Sequence, residues 1–167
     1  MDHAHFMDQA LELAGAALKR DEFPVGCVLV HKGQIIVQAA RRGTAQQIPS
    51  ELEHAEMLAL RQLEQTAAHV PRDEITLYVT LEPCLMCFGA LLLSGIGTIV
   101  YAYEDAMGGG TACDRTGLPE LYRRNGVRVL PGIRRQESLA LFKAFFAMPH
   151  INYWQGSYLA RYTLTQA

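Results

Sequence analysis

The sequence predicts an α/β fold in which helices pack on both faces of one sheet. Two short segments of β-branched and aliphatic residues flank the turn Lys32-Gly33, which predicts a hairpin. After them, strand-like and helix-like segments alternate along the chain, as they do in layered α/β domains. At 167 residues the chain is long enough to bury one substantial core. We therefore expect one domain over residues 1–148, with residues 149–167 as its C-terminal aromatic extension.

The first half of the chain supplies a helix, a hairpin and a second helix. Apolar residues recur at steps of three and four after Asp2, a residue type that caps helix N-termini well. The hairpin follows, and a loop containing Gly43 and Pro49 separates it from the next helical pattern. The predicted elements are helix 3–20, strand 25–31, strand 34–40, loop 41–50 and helix 53–65.

The second half alternates strands and helices. Pro83 stands at a strand-to-helix turn, where its restricted φ suits the start of a helix. The strand over 127–130 follows a helical crossover and should run parallel to the strand before it. Residues from Pro149 onward, rich in tyrosine, form either a further helix or an extended arm. The predicted elements are strand 75–80, helix 84–93, strand 98–103, helix 118–124, strand 127–130 and helix 135–148.

Composition places the chain among ordinary globular proteins. Half of its residues are hydrophobic and its formal net charge is −2, so neither disorder nor a strongly basic nucleic-acid-binding protein is indicated. No apolar run approaches the roughly 20 residues that cross a bilayer, and the N-terminus lacks a signal-peptide pattern. We expect a cytoplasmic location without membrane contact. The four cysteines should then be metal ligands or buried thiols and not disulfides.

Positive charge is concentrated in one segment. Residues 115–143 contain seven basic side chains against two acidic ones. This segment is either a phosphate-facing patch or the solvated surface of helices, and we favour the second interpretation.

A run of three glycines, Gly108-Gly109-Gly110, lies in a predicted loop. Glycine runs can cradle phosphates, but only where a strand, the loop and a helix follow one another in the required order. No such motif surrounds this run, so we interpret it as a flexible connection.

Two separated motifs carry the chemistry. His54-Ala55-Glu56 begins one predicted helix, and Pro83-Cys84-Leu85-Met86-Cys87 begins another. Cys84 and Cys87 are three residues apart at a helix start, where their sulfurs point to one side and the helix dipole favours thiolates. Zinc prefers cysteine sulfur and histidine nitrogen, and a catalytic site keeps a fourth position open for water. The motifs therefore predict one zinc ion per chain on His54, Cys84 and Cys87, with water or hydroxide as fourth ligand.

Glu56 is the predicted catalytic residue. It lies two positions after His54, so the two side chains share one site only if His54 stands at the first turn of its helix. This H-x-E…P-C-x-x-C pattern is typical of zinc-dependent nucleobase deaminases. In that chemistry the glutamate accepts a proton from the zinc-activated water and delivers protons to the ring nitrogen and the departing ammonia.

A structural zinc module is the alternative. A structural site is closed by four protein ligands, so Cys27 or Cys113 would have to supply the fourth. Such a site would leave Glu56 without a role. Cys27 stands in an aliphatic strand, where a buried core thiol is the simpler interpretation. We therefore favour a catalytic site.

From about Phe23 to Phe146 the chain resembles the cytidine and deoxycytidylate deaminase superfamily. It is most similar to the branch that contains tRNA adenosine deaminases and the guanine and cytosine deaminases. The resemblance implies a five-stranded mixed sheet in the order 2-1-3-4-5, with strands 4 and 5 parallel, and a homodimer. The segments that carry it are Pro24-Val25-Gly26, the seven residues from His54, the ten residues ending at Cys87, and Asp105-Ala106.

The resemblance also implies a set of substrate contacts. Phe23 and Val25 would line the base pocket, and Asp105 would touch the rest of the substrate. The backbone around Ala55 and Pro83 would contact the base edge.

Two departures from the family pattern concern the substrate. Members usually carry an asparagine after the second strand, where this chain has Arg41. We include Arg41 among the substrate-binding residues, because a guanidinium can meet a phosphate or a ring carbonyl. The chain also ends in an aromatic extension with Tyr153 and Trp154, in place of the basic tail of the tRNA enzymes. Such an extension either covers an active site or packs as a plain arm.

The sequence thus predicts a hydrolase that removes the exocyclic amine of a free nucleobase, nucleoside or nucleotide and releases ammonia. The alternative is a tRNA-specific adenosine deaminase that converts adenosine to inosine at the wobble position. The basic segment and the zinc motifs keep this alternative open. A zinc-held binding module without activity is a third hypothesis.

Overall fold

A computed structural model describes residues 2–124 and 126–167 of the chain. Helices and strands alternate after an N-terminal helix and hairpin, as the periodicity predicts. The helices are α1 (His3–Leu18), α2 (Ala55–Thr66), α3 (Leu85–Leu93), α4 (Glu120–Arg123), α5 (Arg135–Phe146) and α6 (Tyr158–Thr165), with a short 3-10 turn at Arg72–Glu74. The strands are β1 (Gly26–His31), β2 (Gln34–Ala40), β3 (Ile75–Leu81), β4 (Thr98–Tyr103) and β5 (Arg128–Leu130).

The strands form one five-stranded sheet in the order β2-β1-β3-β4-β5. β1 pairs antiparallel with β2 and with β3, whereas β3 with β4 and β4 with β5 run parallel. This confirms the predicted mixed sheet, its strand order and the parallel direction of the last strand. The parallel pairs place the C-terminal ends of β3 and β4 side by side, at the edge where Glu82 and Glu104 follow.

Alternation along the strands divides the core between the two faces of the sheet. Val28 and Tyr78 face α1 and pack with Phe6 of that helix. Cys27 and Leu29 of β1 belong to the larger cluster, which includes buried apolar side chains of α2, α3 and α5. Because one sheet is covered on both sides, its three central strands are almost wholly buried.

Helix boundaries differ from the predicted ones by a few residues. α1 ends at Leu18, two residues early, and the chain then turns through Asp21 in the left-handed region at φ 59°. α2 begins at Ala55 because His54 is extended, with φ −65° and ψ 147°. α5 ends at Phe146 instead of residue 148. Among the described residues, the helices are all too short or too polar to span a bilayer.

The C-terminal extension contains a helix, α6, and is tied to the sheet by polar contacts. The Tyr162 hydroxyl donates to Glu104, which also pairs with Arg135. Tyr103 and Thr163 share a buried hydrogen bond of 3.1 Å between their hydroxyls. Because these partners lie on β4, α5 and α6, the extension packs as part of the same unit.

Several cations of the basic segment, residues 115–143, are paired with acceptors of the chain. Arg124 pairs with Glu120, Arg134 with Asp8, and Arg135 with Glu104. Arg128 donates to the Thr98 hydroxyl at 3.2 Å, and Lys143 donates to the Gln166 carbonyl. Several of these cations already have acceptors within the chain, which supports the interpretation as a helix surface and not a phosphate-binding patch.

The loop after β2 is held by a single carboxylate. Glu22 accepts hydrogen bonds from the backbone N–H groups of Gly43, Thr44 and Ala45, at 2.9, 2.6 and 3.2 Å, and from the Thr44 hydroxyl. Although burial opposes ionisation, these hydrogen bonds hold the pKa of Glu22 below its ordinary value of 4.5. The ionised Glu22 therefore stabilises the loop that begins with Arg41.

We expect Glu22→Gln to lower the free energy of unfolding by about 1–2 kcal/mol at pH 7, because an amide has one oxygen where the carboxylate has two. A lowered folded-state pKa gives stability that is present above the unfolded pKa and lost as the pH falls through the folded value. The difference between wild type and variant should therefore shrink below about pH 4. Urea unfolding across this pH range measures it. Glu12→Gln, at an exposed position of α1, is the control, and an equal loss there would contradict the assignment.

Candidate active site

His54 and Glu56 enter one cavity because His54 is the N-cap of α2 and not a helical residue. Its extended backbone turns its side chain away from the direction that helical geometry would impose. Glu56 lies in the first turn of α2 and is only 3% exposed. His54 and Glu56 can share one site because His54 stands at the start of its helix. Both side chains line the same cavity.

Cys84 and Cys87 occupy the N-terminus of the neighbouring helix. Cys84 is the N-cap of α3, with φ −65° and ψ 169°, and Cys87 lies in its first turn, fully buried. The parallel pairing of β3 with β4 sets the start of α3, and α2 packs against α3. Two helix N-termini thus meet, and their unpaired N–H groups favour anionic ligands such as thiolates.

His54, Cys84 and Cys87 have the spacing of zinc ligands. The Nδ1 atom of His54 lies 3.6 Å from the Cys84 sulfur and 3.4 Å from the Cys87 sulfur. A tetrahedral ion with Zn–S of ~2.3 Å and Zn–N of ~2.1 Å separates two such ligands by about 3.6 Å. The three donor atoms all lie within 4.8 Å of one another. One nitrogen and two sulfurs at these distances fit Zn²⁺ with one coordination position left over.

The two thiols are strongly coupled. The hydrogen bond from Cys87 lowers the pKa of Cys84 to about 4, and the same contact raises the pKa of Cys87 far above its ordinary value. Without a metal ion, the pair therefore consists of one thiolate, Cys84, and one protonated thiol, Cys87. A divalent cation would replace that shared proton, which is the chemistry expected of a metal site.

The remaining cysteines do not close the site. Within residues 2–124 and 126–167, the cluster that could hold a metal consists of His54, Cys84 and Cys87. Cys27 is fully buried in β1, and burial raises the pKa of its thiol well above the ordinary value. Cys113 is exposed. The described residues thus offer three ligand atoms at this cluster, one fewer than a closed structural zinc site requires.

Glu56 is a buried carboxyl group beside the three candidate metal ligands. Burial raises its pKa, an effect that the nearby His54 and Cys87 partly offset. A carboxyl with a raised pKa gives and takes protons near neutral pH more readily than an exposed one. Its position beside the ligands matches the role that the sequence predicts for it.

The cavity that these residues border encloses about 120 Å³. This volume is well below the ~300–1,000 Å³ of drug-sized pockets and suits a small planar ring. The lining includes Phe23, Val25, Arg41, Glu51, His54, Ala55, Glu56, Leu81, Glu82, Cys84, Asp105, Met107, Gly108, Tyr153, Trp154 and Leu159.

Five of the six predicted substrate contacts line this cavity, namely Phe23, Val25, Arg41, Ala55 and Asp105. Asp105 also accepts from the N–H groups of Met107 and Gly108, and burial raises the pKa of its carboxyl. Pro83 lies outside the described lining. Its carbonyl accepts the N–H of Gly110 at 2.9 Å, so the loop uses the group expected to meet the base.

The glycine run packs tightly against the site, which corrects its interpretation as a flexible connection. A Cβ on Gly109 would lie 2.4 Å from the Glu82 carboxylate, and one on Gly110 would lie 2.7 Å from the Leu85 Cα. Glu82 also accepts from the backbone N–H groups of Asp105 and Thr111. Because Gly109 and Gly110 have no side chain, the loop can contact the start of α3. Sequence reasoning missed this role because the contact partners are distant in the chain.

The aromatic extension forms one wall of the cavity. Tyr153, Trp154 and Leu159 belong to the lining. The Tyr153 ring lies edge-on to Phe23, with centroids 5.4 Å apart, and its hydroxyl donates to Glu51. Of the two possibilities left open for the extension, this lining favours contact with the site within one chain over a plain packing arm. The aromatic composition of residues 149–167 was the signal available in the sequence. Composition does not identify the residues that such an extension contacts.

Comparison with known proteins gives consistent results. Residues 1–103, more than half of the chain, match the family model for the cytidine and deoxycytidylate deaminase zinc-binding region. A tRNA-specific adenosine deaminase of Bacillus subtilis (strain 168) is 33% identical over 141 residues, which cover 84% of this chain and 86% of the relative.

Two solved structures share the fold. One comes from studies of A-to-I editing by tRNA:A34 deaminases at the wobble position of transfer RNA. It has a TM-score of 0.71 at 31% identity, over 82% of this chain and 98% of that one. The guanine deaminase from Nitrosomonas europaea has a TM-score of 0.68 at 25% identity, over 85% and 83% of the respective chains.

Proposed function

Because the chain belongs to the cytidine and deoxycytidylate deaminase family and is a hydrolytic deaminase, we propose that it acts on small, free substrates. The substrates are nucleobases, with nucleosides and nucleotides as larger members of the class. The observation that carries this proposal is the cavity wall formed by Tyr153, Trp154 and Leu159 of the same chain.

The metal site is part of the proposal. His54, Cys84 and Cys87 bind one Zn²⁺ per chain, and water is the fourth ligand. The distances of 3.4 and 3.6 Å from the His54 nitrogen to the two sulfurs support this assignment. Zinc, when bound, polarises water and makes it nucleophilic at neutral pH.

Glu56 is the catalytic residue in this proposal. Its carboxylate accepts a proton from the attacking water and delivers protons to the ring nitrogen and to the leaving amine. One C–O bond forms, one C–N bond breaks, and ammonia leaves. Burial of Glu56, which is 3% exposed, limits the access of bulk water to its carboxyl group.

The remaining lining residues hold the ring. Phe23, Val25 and Ala55 supply apolar contact around it, and Arg41 and Asp105 supply polar contact at its edge. Tyr153, Trp154 and Leu159 of the extension complete the lining. Residues 1–148 therefore form the deaminase domain, and residues 149–167 complete its active site as an integral extension.

Activity on tRNA is the second candidate. It is favoured by similarity to tRNA-specific adenosine deaminases, at 33% identity for the Bacillus subtilis relative. Two observations weigh against it. The cavity is bordered by the carboxyl groups of Glu51, Glu82 and Asp105, which repel phosphates. Several basic side chains of residues 115–143 are engaged with acceptors of the chain itself.

A homodimer is the proposed assembly. α3 exposes Leu85 and Leu93, which are 62% and 58% exposed, beside an apolar groove that also contains Met57 and Met86. Exposed apolar patches of this kind mark protein interfaces. A second copy of the chain would cover the groove and bury both leucines.

We place the enzyme in the cytoplasm. The proposed zinc site needs Cys84 and Cys87 as free thiols, and the described cysteines form no disulfide. A reducing compartment keeps such thiols available for the metal.

One assay panel tests the substrate class. Ammonia release is measured for free bases, their nucleosides and their monophosphates, beside a tRNA anticodon stem-loop that carries adenosine at the wobble position. We expect turnover of at least one free small substrate and none of the stem-loop. The physical reason is the wall formed by Tyr153, Trp154 and Leu159, which narrows the cavity to about 120 Å³. Activity on the stem-loop alone would overturn the proposal.

A further inference from the structure

Glu82 is a buried carboxylate that joins the two ends of one loop. It directly follows the last residue of β3. One of its oxygens accepts the backbone N–H of Asp105 at 3.2 Å. The other accepts the backbone N–H of Thr111, also at 3.2 Å, and the Thr111 hydroxyl. Because Asp105 and Thr111 stand at the two ends of the 105–111 loop, a single side chain fixes both ends of it.

The 105–111 loop also lies against the residues that follow Glu82. Gly109 pairs with Cys84 in an isolated antiparallel bridge, and the N–H of Gly110 donates to the Pro83 carbonyl at 2.9 Å. A Cβ on Gly109 would collide with the Glu82 carboxylate. The loop therefore packs on three consecutive residues, and the last of them, Cys84, is a candidate metal ligand.

The same loop carries part of the cavity lining, namely Asp105, Met107 and Gly108. The Asp105 carboxyl accepts the N–H of Met107 at 3.0 Å and that of Gly108 at 2.9 Å, both through Oδ1. Its orientation therefore follows the backbone of the loop. A change in the path of the loop would move this carboxyl group within the cavity.

The partners of Glu82 explain why a carboxylate of this length suits the position. The two N–H groups and the hydroxyl that it binds are all donors, and they reach both of its oxygens. A glutamine has one oxygen and one NH₂ group. Its NH₂ group would face a backbone N–H at one end of the loop, so that end would lose its acceptor.

We propose that Glu82 is a positioning residue for the deamination reaction. It holds the 105–111 loop so that the Asp105 carboxyl meets the edge of the ring at a fixed distance from the metal ligands. Glu82 acts through Asp105 and exchanges no proton itself. The inference rests on the proposed function, because Asp105 is a substrate contact only within that proposal.

Amide hydrogen exchange tests the hold on the loop without any substrate. In zinc-loaded Glu82→Gln, the peptide that covers residues 105–111 should exchange about ten- to a hundredfold faster than in the wild type, because hydrogen bonds to a charged acceptor are lost. Peptides from β1 and α2 should exchange as in the wild type, and zinc content should stay at about one per chain.

Glu74→Gln is the matched control for this measurement. Glu74 directly precedes β3, at the other end of the strand from Glu82, and pairs with Lys32 at the surface. It lies outside the cavity lining. Its variant should therefore leave the exchange of the 105–111 loop and the turnover at the wild-type level.

A double-mutant cycle tests whether Glu82 acts through Asp105. On a substrate that the wild type turns over, Asp105→Asn and Glu82→Gln should each lower kcat/KM by about tenfold or more. If the two residues act in series, the double variant should fall no more than about threefold below Asp105→Asn alone. Two residues with independent roles would instead give the product of the two effects.

The outcomes separate the inference from the proposed function. Wild-type exchange of the loop in Glu82→Gln overturns the inference, and so does faster exchange that is equal in β1 and α2, since that indicates a general loss of structure. Effects on kcat/KM that multiply also overturn it. The proposed function fails by another measurement, the absence of wild-type turnover on every free small substrate, and the exchange result decides the hold on the loop in either case.

Thr111→Val keeps the inference testable if Glu82→Gln does not fold. This variant removes one donor to Glu82 and preserves the backbone N–H and the shape of the side chain. It should speed the exchange of the 105–111 peptide by about threefold or more. Unchanged exchange of that peptide would overturn the inference.

Discussion

Glu56→Gln should reduce turnover by about a thousandfold or more and leave the metal bound. A glutamine has the size of glutamate but cannot accept and release a proton, and positioned proton transfer contributes about 10²–10⁴ in rate. Because Glu56 supplies every proton transfer in the proposed reaction, we expect the effect at the upper end of that range. Steady-state ammonia release and zinc content, measured on the same preparation, provide the test.

The matched control for this variant is Glu64→Gln. Glu64 lies on the same helix α2 but is exposed and outside the cavity lining. Its variant should keep turnover within a factor of two or so, as surface substitutions have small effects. Turnover by zinc-loaded Glu56→Gln within tenfold of wild type would contradict the assignment of Glu56 as proton carrier.

Cys87→Ser should abolish both zinc binding and activity. The Cys87 sulfur is fully buried and lies 3.4 Å from the His54 nitrogen. Its replacement removes one of the three ligand atoms from the interior of the site. A serine hydroxyl is a far poorer zinc ligand than a thiolate. Metal analysis should find about one zinc per chain in the wild type and close to none in the variant.

Removal of the metal should also lower stability. A ligand present at a thousand times its dissociation constant stabilises the folded state by about 4 kcal/mol, so a chelator should lower the melting temperature by several degrees. Cys113→Ser is the control, because that thiol is exposed and lies outside the cluster. Equal loss of zinc in Cys113→Ser, or full zinc content in Cys87→Ser, would refute the ligand assignment.

The extension and the loop after β2 act together at the substrate side of the cavity. The Tyr153 hydroxyl donates to Glu51 and accepts from Arg41, so the loop, the extension and the guanidinium form one hydrogen-bonded group. The Glu22 carboxylate binds the same loop by accepting hydrogen bonds from the backbone N–H groups of Gly43 and Thr44. The proposed substrate contacts are thus connected to a surface loop, while the candidate metal ligands stand at two helix N-termini.

The candidate metal ligands and Glu56 could be predicted because the residues of each motif are close together in the sequence. His54 and Glu56 are two residues apart, and Cys84 and Cys87 three, so their chemistry and their helix positions follow from short spacings. The strand pattern was likewise local, and with the resemblance it gave the strand order that the sheet shows. Helix ends were less predictable: the predicted helix over residues 53–65 begins at Ala55, and His54 is its extended N-cap.

The sequence named residues on the substrate side of the cavity, but their contacts with one another were decided by the tertiary structure. Arg41 meets Tyr153 across 112 positions of the chain, and Gly110 meets the start of α3 across more than 20. No periodicity or spacing encodes such contacts, since they depend on how the sheet brings distant loops to one edge. The sequence by itself determined the reaction chemistry, because ligand and proton-carrier types are read from residue identity. Only the folded chain determined the shape and charge of the cavity, because these arise from groups that become neighbours on folding.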